Sequence, residues 1–237
     1  MQIYEQLWRE ATAAFARSEP QLDPHLPDKI HDRRRGVSLA LRPSAAVLDR
    51  VRAFSDRLDF PGQYVYRPEE LHVTVLSIIS GSAEWRQEFR EWPAYRALLR
   101  RVLSRHGPFK LGFRGVTASP GAIMIQGFPL DDGLPRLRAD LRRSFAQAGF
   151  GSQLDRRYAI SSAHITFMRF CRAQADWPRL TAQLQAHRQT DFGEMTVQTI
   201  ELVWCDWYAS ARTARILETY ALTNQAASRA ATAQPKG

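Results

Sequence analysis

Two short runs constrain this chain more than any other feature: Leu71-His72-Val73-Thr74-Val75-Leu76-Ser77-Ile78 and Ala163-His164-Ile165-Thr166-Phe167-Met168-Arg169-Phe170. Each sets a histidine and, two positions on, a threonine into an apolar, β-branched context. In a β-strand successive side chains alternate between faces, so residues i and i+2 share one. His72 and Thr74 then stand together while Leu71, Val73 and Val75 point into the core. His164 and Thr166 do the same, backed by Ala163, Ile165 and Phe167. A single histidine in an apolar strand is ordinarily a packed residue. Only six histidines occur in the chain, however, and two of them open the same pattern. Paired imidazoles beside paired hydroxyls point to acid–base chemistry on one substrate.

The rest of the chain supports a repeated plan. Tyr4, Leu7, Ala11 and Phe15 recur at helical spacing and predict an amphipathic N-terminal helix packed on the domain. Pro20, Pro24 and Pro27 mark an irregular linker, so residues 1–30 form a helix and linker ahead of the main domain, 31–223. A first strand is expected over Gly36–Leu41, and Ser44 is placed to cap a helix over Ala45–Leu58. A loop, Asp59–Glu70, leads into the first His-x-Thr strand. Ser82–His106 is expected to be mostly helical and restarted near Pro93. Phe109–Ala118 and Ala122–Gly127, around Ser119-Pro120-Gly121, read as a hairpin. Leu134–Ala148 reads as a helix stopped by Gly149. After the second His-x-Thr strand come a helix over Trp177–Arg188, one strand over Met195–Trp204 and a last strand over Arg215–Leu222. Residues 224–237, rich in Ala, Gln and Ser, are expected to be a disordered tail. Each half thus runs strand, helix, His-x-Thr strand, with the motifs 92 positions apart. The expected fold is α+β and bilobal: two pseudo-symmetric antiparallel-sheet lobes, helices outside, and a central cleft carrying both motif strands.

Charge narrows the ligand class. A net charge of +9 favours a polyanionic partner such as RNA. Arginine supplies nearly all of it, since Lys29, Lys110 and Lys236 are the only lysines; its planar fork suits phosphate. The basic run Asp32-Arg33-Arg34-Arg35 reads as a solvated face or the rim of an anion site. No apolar run approaches the roughly 20 residues that span a bilayer, and Glu5 and Glu10 interrupt any N-terminal apolar stretch, so a cytoplasmic protein without membrane association is expected. Cys171 and Cys205 lack metal-ligand spacing and read as buried reduced thiols; no metal site and no cofactor are expected.

The paired motifs His72-Val73-Thr74-Val75 and His164-Ile165-Thr166-Phe167 resemble those of the 2H phosphoesterase superfamily, which includes RNA 2′,5′-ligase-like proteins and RNA 2′,3′-cyclic phosphodiesterases. The resemblance covers about Gly36 to Leu222. It implies a metal-independent phosphodiesterase acting on 2′,3′-cyclic phosphate ends or 2′,5′-linkages of RNA, and by microscopic reversibility a possible 2′,5′ ligase. It further implies His72 as the acid protonating a 3′ leaving oxygen and His164 as the base activating water, or the two roles reversed, with Thr74 and Thr166 on the non-bridging oxygens. Arg169 matches an arginine that follows the second motif in the ligase-like branch, although strict alternation turns it away from His164 unless the strand bulges. The first motif continues as Leu76-Ser77-Ile78 without the glycine common in that branch. Tyr158 and Tyr66 are candidates to bind substrate by stacking, as are Tyr64, Trp204 and Trp207. Partners are expected to be RNA ends or small cyclic nucleotides, and the protein a monomer. Three alternatives stand beside this reading: an enzyme for an ADP-ribose-type cyclic phosphate, a non-catalytic RNA- or nucleotide-binding module, and a structural protein with coincidental motifs.

Overall fold

Among the described residues, nine strands join into a single curled antiparallel sheet, a half-barrel with helices on its outside. The computed structural model describes residues 2–84, 92–151, 154–155, 160–174 and 176–223. Its strands are β1 (Arg35–Leu41), β2 (Tyr64–Val65), β3 (Val73–Ser82), β4 (Phe109–Ser119), β5 (Ala122–Pro129), β6 (Ile165–Arg169), β7 (Asp191–Val197), β8 (Thr199–Asp206) and β9 (Arg215–Ala221). Its helices are α1 (Gln2–Ala16), α2 (Ala45–Ser55), α3 (Trp92–Leu103), α4 (Gly133–Gln147) and α5 (Trp177–Ala186). The expected tail and part of the segment before α3 lie outside the described residues.

The order across the sheet is β7-β4-β5-β6-β3-β1-β8-β9, with the short β2 also on β6. Each lobe is therefore one half of the sheet. The two motif strands, β6 and β3, are the inner edges at which the halves meet. The lobes meet edge to edge, and curling of the sheet makes the concavity. The halves repeat a unit, β1-α2-β3 in one lobe and β5-α4-β6 in the other, each ending on its motif strand.

Local sequence explains most of these elements. Ser44 Oγ accepts from Val47 N at 3.4 Å and starts α2. Gly149, at φ +79°, takes the left-handed conformation that ends α4. In α1 the stripe Tyr4, Ala11, Ala14 and Phe15 is buried, and Tyr4 and Phe15 pin it to the protein. Thr117 Oγ1 donates to the Tyr4 carbonyl at 3.1 Å, and Phe15 stacks on Trp177 with ring centroids 5.3 Å apart.

One expected strand is divided. Met195–Trp204 reads as continuous, but the chain breaks at Gln198. Val197 pairs with Phe109 at the edge of the second lobe, and Thr199 pairs with Ala221 in the first. The periodicity on either side is strand-like, and only long-range pairing separates the two. The loop ahead of the first motif also holds more structure than expected: β2 pairs with β6, and a 3₁₀ turn spans Pro68–Glu70. The thiols of Cys171 and Cys205 are free, and both are partly rather than fully buried.

Candidate active site

Each motif strand bulges directly after its threonine. Between β1 and β3, Leu39 faces Leu76 while Ala40 faces Thr74, so Val75 is an extra residue. Between β5 and β6, Ile123 faces Met168 while Met124 faces Thr166, so Phe167 is extra. A bulge of this kind turns the following residues onto the other face. Ser77 accordingly joins Thr74, and Arg169 joins Thr166, on the concave side. The condition under which Arg169 reaches the cleft is met, and Ser77 is its counterpart in the first lobe.

His72, Thr74, His164, Thr166 and Arg169 all line one cleft of about 340 Å³ at the seam. Small residues, including Gly36, Ser38, Ser77, Ser80 and Gly81, floor its first-lobe side, and Trp207 and Tyr208 stand at its wall. Tyr66 also borders the cleft, but its ring is buried; its hydroxyl accepts from Arg169 Nε at 2.9 Å, which holds the guanidinium in place. Tyr158 lies outside the described residues. Arg33, Arg34 and Arg35 are not among the lining residues. Arg34 is instead paired with the Asp32 carboxylate at 2.6 Å. Among the described residues no group of three His, Cys, Asp or Glu side chains is arranged to hold a metal ion.

Both imidazoles are anchored through Nδ1, which leaves Nε2 for a ligand. His72 Nδ1–H donates to the Glu70 carbonyl at 2.7 Å, and this fixes its tautomer. The Glu70 carboxylate fixes that carbonyl in turn. It is buried and accepts from Tyr64 Oη at 2.8 Å, Arg67 N at 3.0 Å and Ala211 N at 3.1 Å. His164 Nδ1 pairs with Ser162 Oγ at 2.7 Å. Burial lowers the pKa of both rings. His164 is pushed down to about 4 by burial, with His72, Arg169 and Arg138 adding positive charge nearby. For His72, burial lowers the pKa, the Glu70 carbonyl opposes it, Arg42 and Arg169 lower it further, and Glu201 raises it. The direction is thus the same at both sites: each folded imidazole is held toward its neutral form.

These shifts have a sign that stability measurements read. In the unfolded chain both histidines titrate near 6.5, whereas the folded His164 titrates near 4. Between those values the unfolded state binds more protons, so stability is full above about pH 6.5 and falls as the pH drops toward 4. Urea unfolding at pH 4.5 and pH 7 is expected to show a smaller acid loss for His164→Gln than for wild type. An equal or larger loss in the variant would contradict a neutral native imidazole.

A curled antiparallel sheet with outer helices is the LigT-like fold. The model of the 2′-5′ RNA ligase superfamily matches residues 39–206, and the chain belongs to that superfamily. Its fold is that of TT0787 from Thermus thermophilus, at 20% identity and a TM-score of 0.61 over 80% of this chain and 99% of that one. Escherichia coli LigT complexed with ATP is similar at 17% identity and a TM-score of 0.56, over 81% of this chain and 99% of LigT. LigT complexed with 3′-AMP gives 15% and 0.53 over the same shares. No curated protein sequence matches the chain.

Several residues of the site were not singled out from sequence. Glu70 and Ser162, two positions before each histidine, orient the rings, the first through its main-chain carbonyl and the second through its hydroxyl. Asp155 lines the cleft and accepts from Ser77 N at 3.1 Å and Arg142 Nη2 at 2.6 Å. No local pattern announced it. Arg138 had a readable signal: a charged residue on the apolar face of α4, among Leu134, Leu137 and Leu141.

Proposed function

We propose that this protein is a metal-independent phosphodiesterase that opens 2′,3′-cyclic phosphate ends of RNA, or cleaves 2′,5′-linkages, by paired-histidine catalysis. The observation that carries the proposal is the convergence of His72 and His164, each anchored at Nδ1, on one cleft. His164, held neutral, is the base: its Nε2 takes a proton from water as the water oxygen attacks phosphorus. His72, whose Nδ1–H already donates to a carbonyl, is the acid: its Nε2 gives a proton to the 3′ oxygen as the P–O3′ bond breaks. The products are a 2′-phosphate and a 3′-hydroxyl. Thr74, Thr166 and the Tyr66-held Arg169 bind the non-bridging oxygens, most strongly in the transition state. An incoming phosphodiester anion raises both imidazole pKa values and so favours uptake from solvent of the proton His72 needs. That LigT crystallised with ATP and with 3′-AMP supports a nucleotide-bearing ligand.

The test is turnover of an oligoribonucleotide ending in a 2′,3′-cyclic phosphate, in excess EDTA. The expected product carries its phosphate on the 2′ oxygen. A 3′-phosphate product would reverse the leaving oxygen, and loss of turnover in EDTA would overturn metal independence. A folded protein that binds but never turns over RNA or free cyclic nucleotides would favour the binding-module reading.

A further inference from the structure

The two motif strands share a single ladder pair, Val73 with Ile165, so main-chain pairing does little to fix their separation. Arg138 of α4 spans this seam from behind. It is only 4% exposed, and all three guanidinium nitrogens donate to main-chain carbonyls. Nε reaches Val75 O at 2.9 Å, and Nη1 reaches Ser161 O at 3.1 Å. Nη2 reaches Thr74 O at 2.9 Å and Ser162 O at 2.7 Å. One nitrogen therefore holds the first motif's threonine and the residue whose hydroxyl orients His164. Burial and the neighbouring Arg142 lower its pKa to about 10, so it stays charged at neutral pH. Burying a cation is costly unless its donors are satisfied; here four of its five N–H donors reach carbonyls from both sides of the seam. A lysine could not reproduce this, because its donors radiate from one point rather than a planar fork.

We propose that Arg138 is the positioning residue of this site: its guanidinium sets the distance between the two motif strands, and hence the simultaneous reach of both imidazoles to one phosphorus. This rests on the paired-histidine reading. Arg138 touches no reacting atom and acts through the Thr74 and Ser162 backbones. In-line attack needs both histidines placed at once, and a misplacement of about 1 Å costs on the order of 100-fold in rate.

The experiment compares Arg138→Met and Arg138→Lys with wild type on the cyclic-phosphate substrate. Arg138→Met is expected to lower kcat about 100-fold with KM little changed, because ground-state binding groups remain. Its acid limb is expected to move to higher pH, since of the charges facing His164 (His72, Arg169 and Arg138) one is gone. Arg138→Lys keeps that charge and the wild-type acid limb, but is expected to remain slow for want of the fork. Full recovery of kcat in Arg138→Lys, or wild-type kcat in Arg138→Met, overturns the proposal. A measurement on the unaltered protein stands even if both variants fail to fold. The ¹⁵N-labelled Arg138 guanidinium is expected to show separate, slowly exchanging Hη signals, and one rapidly averaged signal overturns the proposal. His72→Ala, assayed alongside, separates the two ideas: full activity there removes the paired-histidine reading, while the guanidinium signals still decide whether the seam is held.

Discussion

Replacing His72 or His164 by alanine is expected to lower kcat by about 10²–10⁴-fold, the usual contribution of a positioned acid or base. The fold should survive either change, because both rings stand in the cleft wall and the apolar residues on the other face of each strand carry the packing. The double variant is expected to lose little more than the worse single one, since groups that act together in one transition state are not additive. The pH dependence should separate their roles. With substrate bound, loss of His164 removes the acid limb and loss of His72 removes the alkaline limb. If alanine at either position leaves kcat within tenfold of wild type while the other abolishes it, one histidine suffices and the paired mechanism fails.

The second large effect is on stability. Phe15 is fully buried, stacked on Trp177 and edge-on to Phe170 at 5.5 Å. Phe15→Ala is expected to cost about 3–5 kcal/mol, from lost transfer energy plus the cavity left behind. Against a typical total of about 5–15 kcal/mol, that is a large share. The melting temperature should fall on the order of 10 °C, read by calorimetry. Ile3→Ala on the same helix is the control: Ile3 is 39% exposed and should change stability by less than about 0.5 kcal/mol. Because Phe170 directly follows Arg169, the cavity opens behind the end of the second motif strand. Equal effects of the two substitutions would mean that α1 is not packed as described.

How much of this was legible in the sequence varied with the range of the physics involved. The His-x-Thr pairs were legible because alternation is local: His72 and Thr74 share a face whatever lies around them. The residues just beyond the threonines were not. The bulges at Val75 and Phe167 leave no mark in composition, since both residues suit a strand either way. Ser77 was therefore passed over, and Arg169 could be placed only conditionally. The break at Gln198 is similar: Val197 and Thr199 are ordinary strand residues, and only their distant partners, Phe109 and Ala221, assign them to different lobes. Tyr66 was read as a stacking surface because aromatic residues near a nucleotide site often are; the fold buries its ring and uses its hydroxyl. Arg138 is the instructive case. Its charge violates the apolar pattern of its helix, and such a violation marks a specific task more reliably than a polar residue on a polar face.

The connection at Gln198 also sets an order of assembly. All four strands of the second lobe fall between residues 109 and 197, a contiguous stretch that can complete its sheet as soon as it leaves the ribosome. The first lobe cannot, because β1 and β3 must wait for β8 and β9, the last strands made. Until then the outer edge of β1 presents unpaired main-chain groups, the kind of exposed edge that recruits other chains. The half of the molecule synthesised first is thus the half finished last, and His72 acquires its complete surroundings only when Tyr208 to Ala221 have emerged.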